Sequence, residues 1–508
     1  MTQELTADPA LGRLADAVLI PPFPGPEAPE WICSALSEGL AGVTLFGPNV
    51  TNRAQLARLT TQLRSAVAEP VLAIDEEGGD VTRISHQTGS DYPGNAALGA
   101  VDDVALTQAV YAALGADLFA LGINLDLAPS IDVNTAADNP VIGTRAFGAD
   151  TALVARHGAA AVAGLQSAGV AACAKHFPGH GSTRLDSHHV IATVDGPLSL
   201  LKSRDLPPFE AVIKAGARAI MPSHLRVPEL TGDLPASLSY AALTDLLRGE
   251  LGFTGVIVSD GLEMRAVSEP YGIPEAAVLA VIAGTDLLCL GRDTDQLMFL
   301  AVKNALVEAV RARRLPGERL EEAAARVAEL RAWTAGAVQV RDSAEGRSAI
   351  AGADRPILAD GQVGLAAARR AVRVTGTPAR LEQPFVVQLE PPENMAVGTV
   401  PWGLGAWLPA DDIRHLSTAM RASELPEVAT RLVAEAAGRS LVIVVRDAHR
   451  HSTASDFVQA LLAARPDAIV VEMGLPLWQP TAASYLASYG AGRSNARAVA
   501  EILGLAQR

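Results

Sequence analysis

The chain has 508 residues, of which 49% are apolar and 19% charged, so it can bury a large core and carries too little charge for a disordered protein. At roughly 100–200 residues per domain, this length predicts more than one domain unless a large α/β barrel is present. A formal net charge of −15 and an aromatic content of 4% argue against a nucleic-acid partner, which would be repelled and would find few stacking platforms.

Eight short apolar runs recur through the first 290 residues, each followed by a polar or glycine-containing segment. They occupy residues 16–22, 42–47, 70–75, 123–129, 170–176, 219–224, 255–260 and 285–291. Near-continuous apolar character is typical of parallel strands, which are buried on both faces. Because Ala- and Leu-rich stretches with helical spacing separate the runs, we predict an α/β fold with a (β/α)₈ TIM-type barrel over residues 1–340.

Four of the predicted strands end in an ionisable side chain. These residues are Asp75, His176, His224 and Asp260. Barrel enzymes place their active sites on the face formed by the carboxyl ends of the strands. We therefore predict the functional site at that face.

The composition changes after a long helical stretch at 317–337. A polar segment rich in small residues predicts a linker at 341–355. Further apolar runs alternate with helical stretches beyond it, which predicts a second, smaller α/β sandwich domain over residues 356–508. Two histidines of that domain, His449 and His451, are interpreted as surface residues.

The three cysteines, Cys33, Cys173 and Cys289, lie far apart within apolar runs. Such a set forms neither a disulfide framework nor a cysteine metal cluster, so we expect buried thiols. The first residues lack the pattern of a signal peptide, and no run of about 18 apolar residues occurs. We expect a cytoplasmic protein without a membrane partner, and the sequence leaves its oligomeric state open, a monomer included.

The segment KHFPGHGSTRLDSHHV, residues 175–190, contains four of the ten histidines. Asp186 precedes His188 by two residues, so its carboxylate could fix the imidazole tautomer and raise the pKa of the ring. The other ring nitrogen would then be free to transfer a proton. Two other interpretations are a surface loop without chemistry and a zinc site, although the spacing does not match HExxH.

Two further segments carry candidate carboxylates. Asp260, in GVIVSDGLEM, could be a nucleophile or a metal ligand, and a helix N-cap is the structural alternative. Asp75, in IDEEGGDVTRI, could accept hydrogen bonds from sugar hydroxyls with Arg83 orienting it, or the two could form an ordinary salt bridge at the barrel rim. The glycines match no phosphate-binding loop.

Four motifs together resemble the family 3 glycoside hydrolases, and among them the bacterial β-N-acetylglucosaminidases: KHFPGHG…DSH, SDGLEM, IDEEGG…R and NPVIGTRAFG. The similarity extends from about residue 42 to residue 291, and the segments 446–451 and 488–504 resemble the second domain of longer members. The resemblance implies a barrel fold and a two-step retaining mechanism, with no cofactor and no metal.

Carried over by position, Asp260 resembles the nucleophile, and His188 resembles the acid/base with Asp186 as its dyad partner. Asp75 resembles the carboxylate that binds the distal hydroxyls of the −1 sugar, and Arg83 resembles the arginine that supports it. The resemblance implies sugar contacts or nearby positions for a further group of residues: Arg145, Lys175, His176, His224 and Met264.

Three features depart from the family pattern. Asp80 stands where the family often has Arg or Lys, His189 follows the dyad histidine, and the segment IPPFPGPEAPEW at 20–31 is unusual. The predicted catalytic set is intact, so these departures bear on the leaving group rather than on the chemistry.

We therefore expect an exo-acting retaining β-N-acetylglucosaminidase whose substrates are small carbohydrates, in particular fragments of peptidoglycan. A phosphorylase and a β-glucosidase or β-xylosidase are alternatives within the same family. A metal-dependent amidohydrolase on the same barrel and a sugar-binding protein without catalysis are alternatives from other classes.

Overall fold

The computed structural model describes residues 9–186, 191–342, 362–392 and 396–507. Each of the eight predicted runs contains a strand. The strands up to residue 289 are β1 (Leu19–Ile20), β2 (Gly42–Leu45), β3 (Val71–Ile74), β4 (Leu125–Asp126), β5 (Ala171–Phe177), β6 (Ala192–Thr193), β7 (Ala219–Pro222), β8 (Leu225–Arg226), β9 (Val256–Ile257) and β10 (Leu288–Cys289). Strands β6 and β8 form a separate parallel pair outside the barrel.

Parallel pairing joins β2, β3, β4, β5, β7 and β9 in that order, and β1 pairs with β10. Two contacts close the ring. A parallel bridge between Val258 and Leu287 links β9 to β10, and the Thr44 N–H donates to the Pro21 carbonyl, which links β1 to β2 at 3.3 Å. The predicted eight-stranded barrel is therefore confirmed.

Helices surround the barrel. They are α1 (Pro9–Asp16), α2 (Glu30–Glu38), α3 (Arg53–Ala66), α4 (Asn95–Val101), α5 (Val104–Ala120), α6 (Thr151–Ser167), α7 (Leu198–Arg204), α8 (Leu206–Lys214), α9 (Pro228–Thr231), a π-helical segment (Ala241–Glu250), α10 (Arg265–Tyr271), α11 (Ile273–Ala283), α12 (Gln296–Arg311) and α13 (Gly317–Asp342). Four of these helices, α3, α5, α6 and α12, begin at a residue whose side chain accepts a backbone N–H of the first turn; the capping residues are Asn52, Asp103, Asp150 and Asp295.

No single helix in the described ranges is long and apolar enough to cross a membrane, whereas the sharply bent pair α10 and α11 together has the length and composition of a span.

Small and branched apolar side chains fill the barrel interior, among them Ala73, Leu125 and Val256. Cys173 and Cys289 belong to the same cluster, as expected for buried thiols, whereas Cys33 is only partly buried. Burial raises the pKa of Cys289 to about 12, so this thiol stays protonated and packs as a small apolar side chain.

The second domain is a six-stranded sheet with the order β11-β16-β15-β14-β12-β13, in which only β11 is antiparallel to its neighbour. Its strands are β11 (Arg373–Gly376), β12 (Phe385–Glu390), β13 (Ile413–Ser417), β14 (Leu441–Val445), β15 (Ile469–Glu472) and β16 (Ser484–Ala487). Its helices are α14 (Gln362–Ala371), α15 (Leu425–Glu435), α16 (Ser452–Ala464) and α17 (Arg493–Leu503).

Alternate residues of β12 pack on opposite faces of this sheet. Val387 lies in a cluster with residues of α15 and α16, whereas Val386 lies in a cluster with residues of α17. Helices therefore cover both faces, which confirms the predicted α/β sandwich.

The boundaries between the two domains remain predictions. Helix α13 continues to Asp342, past the expected end of the helical stretch, and takes in the first two residues of the predicted linker. The rest of the linker, from residue 343 to residue 355, lies outside the described residues.

Candidate active site

The candidate site residues lie at the carboxyl ends of the barrel strands. Asp75 directly follows β3, Lys175 and His176 lie near the end of β5, His224 follows β7, and Asp260 follows β9. Parallel strands bring their carboxyl ends to one face, so side chains that are up to 185 positions apart in the sequence converge there.

Lys175 connects two carboxylates at this face. Its ammonium group contacts Asp75 and lies 2.7 Å from Glu77 Oε1, while Arg83 binds the other oxygen of Asp75 at 2.8 Å. Burial alone would raise the pKa of Asp75, but Lys175 and Arg83 hold it below its usual value. Asp75 is therefore ionised and able to accept hydrogen bonds from sugar hydroxyls.

A second buried pair lies beside the first. Arg145 Nε and Nη2 donate to the two oxygens of Glu77 at 2.9 and 2.6 Å, and Nη2 also lies 3.2 Å from His176 Nε2. His176 Nδ1 lies 2.7 Å from Asp132 Oδ2. Since arginine can only donate, His176 Nε2 is the acceptor and the ring proton lies on Nδ1, toward Asp132.

The family resemblance implied sugar contacts for Arg145, Lys175 and His176, and the sequence analysis missed the carboxylates that bind them, Glu77 and Asp132. Both missed residues are almost fully buried. A signal for Glu77 existed in the motif IDEEGG, where two acidic residues follow Asp75. Asp132 lies six residues beyond the end of β4 and carries no comparable signal.

Glu76 positions Arg83. Its Oε2 accepts hydrogen bonds from the Thr82 hydroxyl at 2.9 Å, from the Arg83 N–H at 2.8 Å and from the Ile84 N–H at 3.0 Å. The chain reverses between Glu76 and these residues through Gly78, whose φ of +74° disfavours a side chain. The turn places the Arg83 guanidinium against Asp75, as the sequence predicted, in the form of a partly buried ion pair.

The second domain contacts this cradle directly. Arg83 donates to the carbonyl oxygens of Ala396 at 2.8 Å and Val397 at 3.3 Å. Asp80 Oδ2 accepts from Thr144 Oγ1 at 2.6 Å and lies 3.0 Å from Arg446. The departure from the family pattern at Asp80 is therefore a buried link between the barrel and the second domain.

His449, interpreted from the sequence as a surface residue, contacts the barrel. Its ring is only partly exposed, and Nε2 lies 2.8 Å from the Ala137 carbonyl of the barrel. His451 is also partly buried, at the start of α16. The contact of His449 results from the packing of the second domain against the barrel, which local sequence does not report.

Asp260 is not a helix N-cap, which excludes that alternative. Its Oδ1 accepts a hydrogen bond from the Gly261 N–H at 2.8 Å, and α10 begins only at Arg265. The fully buried His224 holds the same loop, since its Nε2 lies 3.0 Å from the Gly261 carbonyl. Met264, 8% exposed, packs at the end of this loop. His224 and Met264 therefore shape the Asp260 loop.

Glu263, three residues after Asp260, is a partly buried carboxyl, with Oε2 enclosed, that the sequence did not single out. Its Oε1 accepts from the Arg292 N–H at 2.8 Å, and Oε2 has no hydrogen-bond partner in the described part of the chain. Burial, with a smaller contribution from Asp260, raises the pKa of Glu263 to about 7. The folded protein thus binds a proton here that the unfolded chain releases near its ordinary pKa of about 4.3.

Replacing Glu263 with Gln is expected to flatten the pH dependence of stability. A raised carboxyl pKa stabilises the fold below about pH 4.5, and that contribution is lost as the pH rises to about 7. We expect the free energy of unfolding, measured in urea, to fall between pH 5 and pH 8 by roughly 2 kcal/mol more in wild type than in E263Q. The exposed Glu269→Gln serves as control, and equal losses in wild type and E263Q would refute the assignment.

The predicted acid/base His188, and His189 after it, lie outside the described residues, which resume at residue 191. Asp186, its predicted dyad partner, is the last described residue before this segment and is partly buried. Within the described ranges, no group of three or more His, Cys, Asp or Glu side chains is placed to hold a metal ion.

Residues 26–330 match the N-terminal domain of glycosyl hydrolase family 3. The chain belongs to glycosyl hydrolase family 3. This confirms the resemblance seen in the motifs, and the matched range covers every strand of the barrel from β2 to β10.

Three comparisons describe how this family 3 chain relates to known proteins. It is 35% identical to a β-hexosaminidase A from Pseudoalteromonas piscicida over 58% of this chain and 53% of that protein, so the match spans about half of the relative. The structure of a family 3 β-N-acetylglucosaminidase from Paenibacillus sp. str. FPU-7 superposes with a TM-score of 0.84 at 32% identity, over 97% of this chain and 96% of that one. A β-glucoside phosphorylase shares the fold with a TM-score of 0.72 at 17% identity, over 98% and 92% of the two chains.

Proposed function

We propose that this chain is a retaining exo-β-N-acetylglucosaminidase that hydrolyses terminal β-linked N-acetylglucosamine. The observation that carries the proposal is the ionised Asp75, held by Lys175 and Arg83 on the same barrel face as Asp260. The similarity to the Paenibacillus β-N-acetylglucosaminidase over almost the whole chain supports the N-acetyl sugar as the substrate.

Asp260, His188, Asp186 and Asp75 have defined roles in the proposed reaction. Asp260 attacks the anomeric carbon and forms a covalent glycosyl-enzyme, while His188, oriented by Asp186, gives its proton to the departing oxygen. The same histidine then takes a proton from water, and the resulting hydroxide breaks the bond to Asp260 and releases the sugar with its configuration retained. Asp75 accepts hydrogen bonds from the distal hydroxyls, which fixes the ring over Asp260.

As the proton donor, His188 is an imidazolium that becomes a neutral imidazole when it protonates the leaving oxygen, whereas a carboxylic acid in its place would become a carboxylate. An anionic leaving group is then repelled less than it would be by a carboxylate at that position. We infer that fragments of peptidoglycan in the cytoplasm are the natural substrates, because such fragments carry carboxylates.

The test is nitrophenol release from the aryl β-N-acetylglucosaminide and from the aryl β-glucoside, with EDTA and with or without phosphate. We expect a strong preference for the N-acetyl sugar, no effect of EDTA, and free N-acetylglucosamine as the product in either buffer. Sugar 1-phosphate formed only with phosphate would indicate the phosphorylase instead. Loss of activity in EDTA would indicate the amidohydrolase, and binding without turnover a sugar-binding protein.

A further inference from the structure

Two fully buried carboxyl groups lie together behind the sugar-binding Asp75. Glu76 follows Asp75 in the sequence, and Asp126 is the last residue of β4, the strand that pairs with β3. The Glu76 N–H donates to Asp126 Oδ1 at 3.0 Å, which brings the Asp126 carboxyl against the first residue of the turn that leads to Arg83. Neither carboxyl has a part in the reaction proposed above.

Each of the two carboxyls has one enclosed oxygen without a hydrogen-bond partner among the described residues. These atoms are Glu76 Oε1 and Asp126 Oδ2. An ionised carboxylate can only accept hydrogen bonds, so two ionised groups could not satisfy each other, and a buried acceptor that stays unpaired is costly. One proton held between the carboxyls satisfies both oxygens, because a protonated carboxyl donates its O–H.

The uncharged donors near the pair are directed elsewhere. Tyr111 of α5 lies near Asp126, but its O–H donates to Asn95 Oδ1 at 2.6 Å. The Cys173 thiol belongs to the cluster that fills the barrel interior. Asp126 follows the interior residue Leu125, and successive side chains of a strand point to opposite faces, so Asp126 lies on the other side of the barrel wall from Cys173.

The two cations near the pair are bound to other acceptors. The Lys175 ammonium group contacts Asp75 and Glu77, and the Arg83 guanidinium donates to Asp75 and to carbonyl oxygens of the second domain. In the described part of the chain, neither cation donates to Glu76 or Asp126. The O–H of one carboxyl is therefore the donor that the other requires.

The hydrogen bonds of the pair indicate which carboxyl keeps the proton. Glu76 Oε2 accepts from the Thr82 hydroxyl and from two backbone N–H groups, and such bonds stabilise an ionised carboxylate. Burial raises the pKa of Asp126 well above its ordinary value, and the charges of Glu76 and Asp75 raise it further, against the opposing effect of Lys175. Burial raises the pKa of Glu76 only to about 7, because those three hydrogen bonds oppose it.

We propose that Asp126 is a positioning residue of the sugar cradle, protonated in the folded protein, and that its O–H donates to Glu76 Oε1. Glu76 then stays ionised and holds the turn that places Arg83 against Asp75. Loss of the Asp126 proton would set two buried negative charges against each other and loosen that turn. The inference rests on the proposed function, since it concerns how the sugar-binding Asp75 is held.

The first test observes the proton by carbon-13 NMR of protein labelled at the aspartate side-chain carboxyl carbon. The Asp126 signal, identified by its loss from Asp126→Asn, is expected to have the chemical shift of a protonated carboxyl at pH 7. The signal should titrate at lower pH in Glu76→Gln, because the variant removes a negative charge and its amide can donate to Asp126. An ionised Asp126 in wild type at pH 7, or an unchanged titration in E76Q, overturns the proposal.

The second test measures positioning through kinetics on the aryl β-N-acetylglucosaminide. Asp126→Ala removes the donor and is expected to lower kcat/KM by about tenfold, mainly through KM, because Glu76 Oε1 is left unpaired and Arg83 is held less firmly. D126N keeps an N–H donor at the same place and should restore most of kcat/KM. If D126A does not fold, the KM of D126N decides, and a KM raised about tenfold overturns the proposal.

Asn124→Ala is the matched control. Asn124 directly precedes β4, is 5% exposed and also binds backbone beside its strand, accepting from the Leu72 N–H at 2.8 Å and donating to the Pro70 carbonyl at 2.9 Å. We expect N124A to lower Tm without changing KM. Equal losses of kcat/KM in D126N and D126A, or the same rise of KM in N124A, overturn the positioning role while the proposed function stands. Absence of N-acetylglucosamine release by wild type overturns both proposals.

Discussion

Replacing Asp260 with Ala is expected to lower kcat on the aryl β-N-acetylglucosaminide by about 10³-fold or more. The carboxylate is the only proposed group that forms a bond to the anomeric carbon, so without it the covalent intermediate does not form. The residue is partly exposed, and thermal unfolding of the variant checks that the fold is retained. Single-turnover kinetics and thermal unfolding of the same preparation measure both effects.

Added azide separates a nucleophile from a residue with a structural role. The Ala variant leaves space below the anomeric carbon, where azide can attack as the leaving group departs, and the product would be the α-glycosyl azide. Asp293→Ala is the control, because Asp293 follows the neighbouring strand β10 and is 67% exposed. Near wild-type turnover by D260A would contradict the assignment. A D260A variant that has lost its fold and is not rescued by azide would also contradict it, because Asp260 would then have a structural role.

Replacing Lys175 with Ala is expected to destabilise the protein by about 3–5 kcal/mol and to remove activity. The ammonium group is 3% exposed and connects Asp75 with Glu77, so its loss leaves the partly buried Asp75 carboxylate facing the buried Glu77 carboxylate. The pKa of both carboxyls is held low by Lys175 together with Arg83 and Arg145, despite burial. Urea unfolding at pH 7 measures the free energy.

The effect of K175A should become smaller as the solution is acidified, because protonation of one carboxyl relieves the repulsion between them. A cavity left by a neutral side chain would show no such pH dependence. Lys202→Ala is the control, since Lys202 is 46% exposed and pairs with Glu250 at the surface, where ion pairs contribute about 1 kcal/mol or less. A loss below about 1 kcal/mol in K175A would refute a buried bridge.

The eight barrel strands were predictable because parallel strands that are buried on both faces need continuous apolar runs. Each run also ended close to the end of its strand. Asp75 and Asp260 could be recognised for the same reason, since a carboxylate at the end of such a run is unusual. The pairing of Glu77 with Arg145 was not predictable, because 68 positions separate them and only the barrel brings them together. Asp132 and His176, 44 positions apart, are a second example.

The family and the barrel could be predicted from the sequence alone, because hydrophobic periodicity and local motifs are properties of consecutive residues. Only the tertiary structure decided which charges neutralise one another and how the second domain meets the barrel. Asp80 accepts a hydrogen bond from the Ala491 N–H, 411 positions away. Such relations depend on distances between folded segments, and a linear pattern does not contain those distances.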